Sequence, residues 1–328
     1  MVVLAFSGPA AASSAGLQDA VSRPTLVWST SEMVEETPNH VVERSMLWIG
    51  GSDGSHPRLL GRGQAPRLSP DGRWIAFSRG LDVYVVPRTG KRPWLVARNT
   101  ASARWSPTSR YLAVFPEQNR VLDVIDTETR GRVTIDRGAT ICGASFSPSG
   151  DEIVWARKRG EGCAAEGSVD LFRARVDGSE RTRLTRDGRS SVPVWGSRGI
   201  AFARVRPSGD IVFPIYELWI MRADGKGIRQ LTRSSHYPLE WSADGRRLLT
   251  VTYRRSSAKA SIVDVQAGNV RPVVRRKYLF GLALARDGRS VLAWLPTTSP
   301  HGNLVRVGLD RARTVLWKDP DPIADWNA

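Results

Sequence analysis

The chain has 328 residues, of which 41% are hydrophobic, and a formal net charge of +16 at pH 7. This composition supplies enough apolar side chains for a sizeable core, and closed all-β folds of this length often form one domain. No apolar run approaches the roughly 20 residues that a membrane-spanning helix needs, which excludes a helical membrane span.

The first 22 residues differ from the rest of the chain. Met1 to Val21 has a short apolar run, a Gly-Pro break and small residues around Ala10 to Ala15 that resemble a signal-peptide cleavage site. The basic start of such a peptide is missing, so a start upstream of Met1 and a disordered arm both stay open. We expect residues 1–22 to lie outside a single domain of residues 23–328, and we expect export, with a cytoplasmic location as the alternative.

The segment from Thr25 to Gly63 precedes the clearest repeats. It has strand-like runs at Leu26 to Ser29, Met46 to Ile49 and Arg58 to Leu60. Between the first two runs lies an acidic insertion with Glu32, Glu35 and Glu36. We expect this insertion to form a solvated loop.

A strand and turn pattern begins at Ala65 and recurs down the chain. Ser69-Pro70-Asp71-Gly72 is suited to a tight turn, because proline presets φ, aspartate accepts backbone N–H bonds and glycine tolerates a positive φ. The equivalent positions are Ser69, Ser106, Ser147, Gly196, Ser242 and Ala285, and these numbers differ by 37, 41, 49, 46 and 43. Periods near 40 residues with several short strands each predict a β-propeller with one repeat per blade.

The later repeats resemble a known family. The turn Trp241-Ser242-Ala243-Asp244-Gly245, together with Trp219 to Gly225 and then Gln230-Leu231-Thr232, is similar to the WD-like propeller repeat of TolB-type proteins. The resemblance covers roughly Thr25 to the C-terminus. It implies a non-catalytic propeller of the cell envelope that mediates protein–protein interaction.

The blade count follows from the alignment of the repeats. Six full copies begin at Ala65, Ala101, Gly143, Pro193, Pro238 and Leu282. The segment from Thr25 to Gly63 lacks an innermost strand, and Ile323 to Asn327 matches that strand in the register of Trp326. We therefore predict seven blades, closed by pairing of the C-terminal strand with the N-terminal segment; six blades, which are common in the family, are the alternative.

The basic charge comes almost entirely from arginine. There are 6 lysines among the 48 basic residues, which leaves 42 arginines, and they are spread over every repeat. Base composition of a GC-rich genome explains this bias, and selection for an anionic polymer is the competing explanation. No helix-turn-helix or aromatic and basic platform accompanies the charge, which argues against nucleic acid.

Two insertions mark one rim of the predicted ring as a contact surface. The first runs from Arg157 to Ser168 and the second from Arg204 to Pro214, and rim loops are where partners commonly bind. The candidate binding residues on this rim are Arg157, Lys158, Arg159, Arg204 and Arg206. Cys163 lies in the first insertion and Cys142 on the predicted innermost strand of the same repeat, and they form either a disulfide or two unrelated thiols.

The sequence contains no recognisable catalytic or cofactor motif. His40, His56, His236 and His301 are scattered over several repeats beside loop-forming residues, and we expect them to be exposed. Aspartates such as Asp71 and Asp244 are explained by turn chemistry better than by calcium cages. We therefore predict no cofactor, no metal and no enzymatic activity; a metal-holding lyase and a peptidase gating domain are the alternatives.

One position of the repeat points to the central channel. The residue before the innermost aromatic or leucine is Arg67, Arg104, Ser145, Val194, Glu240, Ala283 and Asp325 in successive blades. If these side chains approach the axis, Arg67, Arg104, Glu240 and Asp325 line its mouth as a site for a charged ligand or peptide tail, or as internal ion pairs. We predict a monomeric binding propeller with a protein partner, and a carbohydrate-active or polyanion-binding propeller is the alternative.

Overall fold

The structure, a computed structural model, describes residues 25–37, 40–51, 55–100, 103–115, 120–160, 163, 168–206, 215–255, 257–277, 279–284, 288–296, 302–310 and 312–318. The regular elements in these ranges are β-strands, in antiparallel sheets that form a seven-bladed β-propeller. The all-β fold and the count of seven blades are thus confirmed. The described part of the chain has no helix of the length and apolarity needed to cross a membrane.

The blades follow one another along the chain. Blade 1 contains β1 (Thr25–Thr37), β2 (His40–Gly51) and β3 (Arg58–Arg62); blade 2 contains β4 (Gln64–Leu68), β5 (Trp74–Arg79), β6 (Asp82–Pro87) and β7 (Trp94–Ala97); blade 3 contains β8 (Ala103–Trp105), β9 (Tyr111–Val114), β10 (Val121–Asp126) and β11 (Arg132–Arg137). Blade 4 contains β12 (Thr140–Phe146), β13 (Glu152–Lys158), β14 (Val169–Arg175) and β15 (Thr182–Arg183); blade 5 contains β16 (Ser190–Gly196), β17 (Gly199–Arg206), β18 (Ile215–Met221) and β19 (Arg229–Ser235). Blade 6 contains β20 (Tyr237–Trp241), β21 (Arg247–Arg254), β22 (Ser257–Asp264) and β23 (Val270–Arg276); blade 7 contains β24 (Phe280–Leu284), β25 (Ser290–Pro296), β26 (Gly302–Gly308) and β27 (Arg313–Lys318).

In blades 2 to 7 the first strand lies innermost, and hydrogen bonds join several of these strands to the innermost strand of a neighbouring blade. The backbone N–H of Trp195 in β16 donates to Ser145 Oγ in β12 at 3.0 Å. The indole Nε1 of Trp105 in β8 donates to the carbonyl oxygen of Arg67 in β4 at 3.0 Å. These bonds join the innermost strands of neighbouring blades, and the innermost strands together surround the axis.

A buried serine organises the turn between the first and second strands. Ser69 Oγ accepts the backbone N–H of Trp74 at 2.9 Å and donates to the Asp71 carboxylate at 2.6 Å. Ser242 repeats this pattern with Arg247 and Asp244, at 2.9 and 2.6 Å. The interpretation of Asp71 and Asp244 as turn residues is therefore confirmed.

The hydrophobic core lies between blades. Because each sheet has two apolar faces, it packs one face on each neighbour. Between blades 3 and 4, for example, Leu122 and Val124 pack with Ile153 and Trp155. Similar clusters join blades 1 and 2, 2 and 3, 4 and 5, 5 and 6, and 6 and 7.

The predicted acidic loop of blade 1 was wrong. β1 and β2 pair in antiparallel fashion along almost their whole lengths, including Glu32 with Arg44. Valines and threonines in both strands favour the extended backbone, so strand pairing includes the acidic residues that charge alone assigned to a loop.

The predicted ring closure and N-terminal arm fall outside the described residues. In blade 1, β3 leads directly into the innermost strand of blade 2, as the fourth strand does in other blades, so β1 takes the second position. The described residues provide no strand inside β1. Ile323 to Asn327, predicted to lie there, and residues 1–22 are both outside the described ranges, and these two predictions stand as predictions.

Candidate axial binding site

The axial site is built on the innermost strands of blades 2, 3 and 6. Arg67 lies on β4, Arg104 on β8 and Glu240 on β20, each directly before the last aromatic or leucine of its strand. All three side chains are half-buried. They occupy equivalent places in their blades because the repeat sets the same register in each one.

The charges of these three residues act on one another across the axis. Burial, followed by the charge of Arg104, lowers the pKa of Arg67 to about 9, and the charge of Glu240 opposes this shift. Burial also lowers the pKa of Arg104, again opposed by Glu240. Blades 2 and 6 are not neighbours in a ring of seven, so Arg67 and Glu240 influence each other through the central channel.

Hydrogen bonds fix the backbone and the acid of this site. The carbonyl of Arg67 accepts the indole N–H of Trp105, and Glu240 Oε2 accepts the backbone N–H of Leu284 in blade 7 at 2.9 Å. Glu240 is therefore held in place by the next blade. Within the described residues of this position, two cations accompany one carboxylate, and Asp325, the second predicted acid, lies outside them.

The other members of the predicted channel position have different roles or lie elsewhere. Ser145 and Val194 bond to the next blade: Ser145 Oγ accepts the N–H of Trp195, and the Val194 carbonyl accepts the indole N–H of Trp241 at 2.9 Å. Ala283 is fully buried. Asp325 lies outside the described residues.

The predicted rim residues lie mostly on strands. Arg157 and Lys158 belong to β13, and Arg204 and Arg206 belong to β17, because pairing continues to Lys158 with Val169 and to Arg206 with Ile215. The two insertions are correspondingly shorter than the sequence suggested. Arg159 follows β13 and is exposed.

Four of these rim cations are either paired with a carboxylate or buried. Arg157 Nε lies 3.1 Å from Asp136, and Arg204 Nη2 lies 2.5 Å from Asp187. Arg206 pairs with Glu217. Lys158 is buried, and this burial lowers its pKa. These four side chains contribute to the structure of blades 3 to 5.

Arginines also join blades by donating to backbone carbonyls. Arg132 Nη2 donates to the carbonyl of Val96 at 2.6 Å, and Arg229 Nη2 donates to that of Val265 at 2.8 Å. Because the planar guanidinium has several fixed donors, it can reach across a seam and still pair with an acid. Part of the arginine excess therefore has a structural use that neither sequence explanation included.

The structure pairs Cys142 with Cys163 in a disulfide. Their Cα atoms are 5.4 Å apart, and 21 positions separate them in the chain. Cys142 lies on β12, the innermost strand of blade 4, so the bond anchors Cys163 of the insertion to the inner ring. The cysteine pair thus ties the insertion-bearing end of blade 4 to the axis.

The prediction of exposed histidines was wrong for His236. This side chain is 1% exposed, and its ring nitrogens lie 3.0 Å from Thr250 Oγ1 and 3.0 Å from Ser234 Oγ. Burial, followed by the charge of Lys259, lowers its pKa to about 4. His56 is exposed as expected, whereas the side chains of His40 and His301 are not described.

The described residues include no group of three or more His, Cys, Asp or Glu side chains arranged to hold a metal ion. Sequence reasoning did not single out three tyrosines, Tyr216, Tyr237 and Tyr253, which gather beside blades 5 and 6. Their sequence signal was the position of each tyrosine near one end of its strand. It could not be separated from ordinary strand composition.

Comparison with known proteins places the chain among propellers of several kinds. No family model matches the chain. An uncharacterised protein of Agrobacterium fabrum is 27% identical over 274 residues, which cover 70% of this chain and 87% of that protein. Its level of identity indicates a distant relative.

Solved structures extend the similarity at the level of the fold. The β-propeller domain of the Trilobed protease from Pyrococcus furiosus superposes with a TM-score of 0.67 at 16% identity, over 91% of this chain and 96% of that chain. An oligogalacturonate lyase in complex with manganese gives 0.61 at 13%, over 88% and 84%. TolB from Acinetobacter baumannii gives 0.51 at 15%, over 92% and 80%. These neighbours include TolB, a lyase and a protease domain. They establish the propeller fold and do not indicate which activity, if any, this chain has.

Proposed function

We propose that the protein is a non-catalytic binding propeller whose axial channel receives an acidic segment of a protein partner. The observation that carries this proposal is the common position of Arg67, Arg104 and Glu240 on the innermost strands of blades 2, 3 and 6. Burial and the charges of this group lower the pKa values of both arginines. Half-buried guanidiniums such as those of Arg67 and Arg104 are suited to binding an anion, because charge-assisted hydrogen bonds are strong where water is partly excluded.

A rigid ring is well suited to this role. The inner strands are fixed by bonds between blades, such as that from Trp241 to Val194, so the site loses little conformational entropy when it binds. The rim arginines with internal carboxylate partners are less suited to a broad polyanion surface. The axial cluster is therefore favoured over the rim as the place of binding.

The protein acts outside the cytoplasm in this proposal. The disulfide between Cys142 and Cys163 supports an oxidising compartment, where such bonds form and persist. The similarity to TolB in fold and repeat pattern is compatible with a location in the cell envelope.

The test is a quantitative pull-down from a native envelope extract with mass-spectrometric identification. Replacing both cations, Arg67→Gln with Arg104→Gln, should reduce capture of the partner at least tenfold, whereas Glu240→Gln should keep or increase it. The control pair, Arg186→Gln with Arg198→Gln, removes the same charge at exposed positions and should leave capture unchanged.

Three outcomes contradict the proposal. Equal capture by the axial pair and by the control pair would place binding elsewhere. Recovery of only nucleic acid and ribosomal proteins would contradict the envelope role. Stoichiometric manganese in the purified protein, together with cleavage of an acidic oligosaccharide, would favour the alternative of a carbohydrate-active propeller.

A further inference from the structure

Three tyrosines form a continuous group that leads outward from the axial site, and we call it the tyrosine track: Tyr216, Tyr237 and Tyr253. Tyr237 begins β20, Tyr253 is near the end of β21, and Tyr216 is near the start of β18. In antiparallel blades, the start of the first strand, the end of the second and the start of the third lie at the same end. The track therefore occupies the insertion-bearing end of blades 5 and 6.

The rings of the track contact each other and remain partly accessible. The ring centroids of Tyr216 and Tyr237 are 5.5 Å apart with an interplanar angle of 84°, which is the edge-to-face arrangement that aromatic pairs prefer. All three side chains are half-buried. Burial raises the pKa of Tyr216 and of Tyr253, so these phenols are neutral at physiological pH.

The track shares a strand with the axial site, because Tyr237 and Glu240 both lie on β20. The phenol of Tyr237 is close enough to Arg104 to act on its pKa, although the two residues lie in blades 6 and 3. Tyr237 acts in the same way on Tyr253. The track thus runs from the innermost strand of blade 6, which carries Glu240 of the axial site, to Tyr216 on the third strand of blade 5.

This arrangement matches the chemistry of a peptide-binding surface. Tyrosine and arginine are enriched at the residues that dominate protein interfaces, because their large flat groups lose little entropy and combine apolar area with hydrogen bonding. An extended peptide advances about 3.3 Å per residue. Tyr237 and Glu240 are three positions apart on β20, which is about 10 Å at this rise, so a peptide of a few residues spans the distance from the axial site to the track.

We propose that the tyrosine track binds aromatic side chains that flank the acidic residues of the partner segment. The inference rests on the proposed function and names its partner more closely: an extended peptide in which acidic and aromatic residues alternate. The acid enters the channel, and the aromatic residues pack on Tyr237, Tyr216 and Tyr253.

Calorimetric titration of the full chain with synthetic octapeptides tests this inference. The probes are four repeats of Asp-Tyr, four of Asp-Ser and four of Lys-Tyr. The Asp-Tyr peptide should bind at least tenfold more tightly than the Asp-Ser peptide, and the Lys-Tyr peptide should not bind. Trigalacturonate serves as the carbohydrate probe and should bind more weakly than the Asp-Tyr peptide.

Variants separate the track from the cations. Tyr216→Leu keeps apolar bulk but removes the ring, so it should weaken the Asp-Tyr peptide about tenfold and leave the Asp-Ser peptide unchanged. Tyr216→Phe should retain most of the affinity. Tyr111→Leu, at a half-buried tyrosine of blade 3, is the matched control and should change neither peptide.

The two proposals fail differently. If both acidic peptides bind equally and Tyr216→Leu has no effect, the track is not a subsite, while the axial site stands. If neither acidic peptide binds, or if Arg67→Gln with Arg104→Gln does not weaken them, the proposed function itself fails. Tight binding of trigalacturonate without peptide binding would overturn the inference in favour of a carbohydrate ligand.

Discussion

The indole Nε1 of Trp241 donates a hydrogen bond to the carbonyl oxygen of Val194 at 2.9 Å, and this bond joins the innermost strands of blades 6 and 5. Trp105 makes the same bond to Arg67 between blades 3 and 2. In both cases the acceptor is the residue that occupies the channel position. The bond that closes a blade seam thus also fixes the backbone that carries the candidate site.

Replacing this indole should destabilise the ring modestly. Trp241→Phe keeps most of the apolar area but leaves the Val194 carbonyl without its donor, so we expect a loss of about 1–2 kcal/mol in the free energy of unfolding. Urea denaturation measures it. Trp219→Phe is the control, because the buried Nε1 of Trp219 has no hydrogen-bond acceptor among the described residues, and it should cost less than Trp241→Phe. An equal or larger loss in the control would contradict this account of the seam.

The predicted closing strand should contribute more to the free energy of unfolding than the indole hydrogen bond does. If Trp326 fills the innermost position of blade 1, Trp326→Ala should cost about 3 kcal/mol, as is usual for a buried tryptophan. Thermal unfolding of the full chain checks this value. A change within about 0.5 kcal/mol, typical of an exposed position, would show that Trp326 does not close the ring.

His236 should make stability depend on pH. Its folded pKa of about 4 lies below the ordinary value of 6.5, so the folded state favours the neutral ring. The stabilisation is complete above about pH 6.5 and is lost as the pH falls towards 4, with a limit of about 3 kcal/mol. Urea denaturation between pH 4 and 7 measures the loss. His236→Gln should flatten this part of the profile, whereas the exposed His56→Gln should not; identical profiles for wild type and His236→Gln would contradict the assignment.

Reduction of the disulfide should lower stability. Cross-linking across 21 positions stabilises a protein by about 3 kcal/mol in the chain-entropy account. We therefore expect dithiothreitol to lower the melting temperature of the wild type and to leave the double variant Cys142→Ser, Cys163→Ser unaffected. A wild type that melts at the same temperature with and without reductant would show that the bond contributes nothing.

The repeated turns made much of the fold predictable. Ser69, Pro70, Asp71 and Gly72 have individual conformational preferences that agree with one another, and their recurrence near 40 residues specifies blades before any tertiary contact is known. The structure shows why serine leads the turn: its hydroxyl bonds an aspartate and a backbone N–H together. The conformational preferences of the turn residues and the period of the repeat therefore predict the same blades.

Other features depended on tertiary contacts that the sequence does not reveal. His236 lies beside loop-forming residues, yet its side chain is buried at the start of blade 6, where its ring contacts the hydroxyl of Thr250. Arg157 looks like a loop cation, but Asp136 in the preceding blade pairs with it. Charge and proximity to a loop predict exposure only until a neighbouring blade supplies a partner.

Sequence reasoning predicted part of the axial site. The register of the repeat placed Arg67, Arg104 and Glu240 at one position, which is a property of the alignment. Their interaction across the axis depends on the number of blades and on side-chain direction, which only the folded ring defines. Tyr237 lies outside that register position, so the alignment could not connect it with Arg104.

Site-specific photo-crosslinking tests the central claim, binding in the axial channel, most directly. A benzoylphenylalanine at Val194, which shares the channel position and bonds through its backbone, is compared with one at the exposed Ile228. In a native envelope extract we predict a covalent adduct with a protein partner at position 194 and none at position 228. An adduct at position 228 alone would contradict the claim.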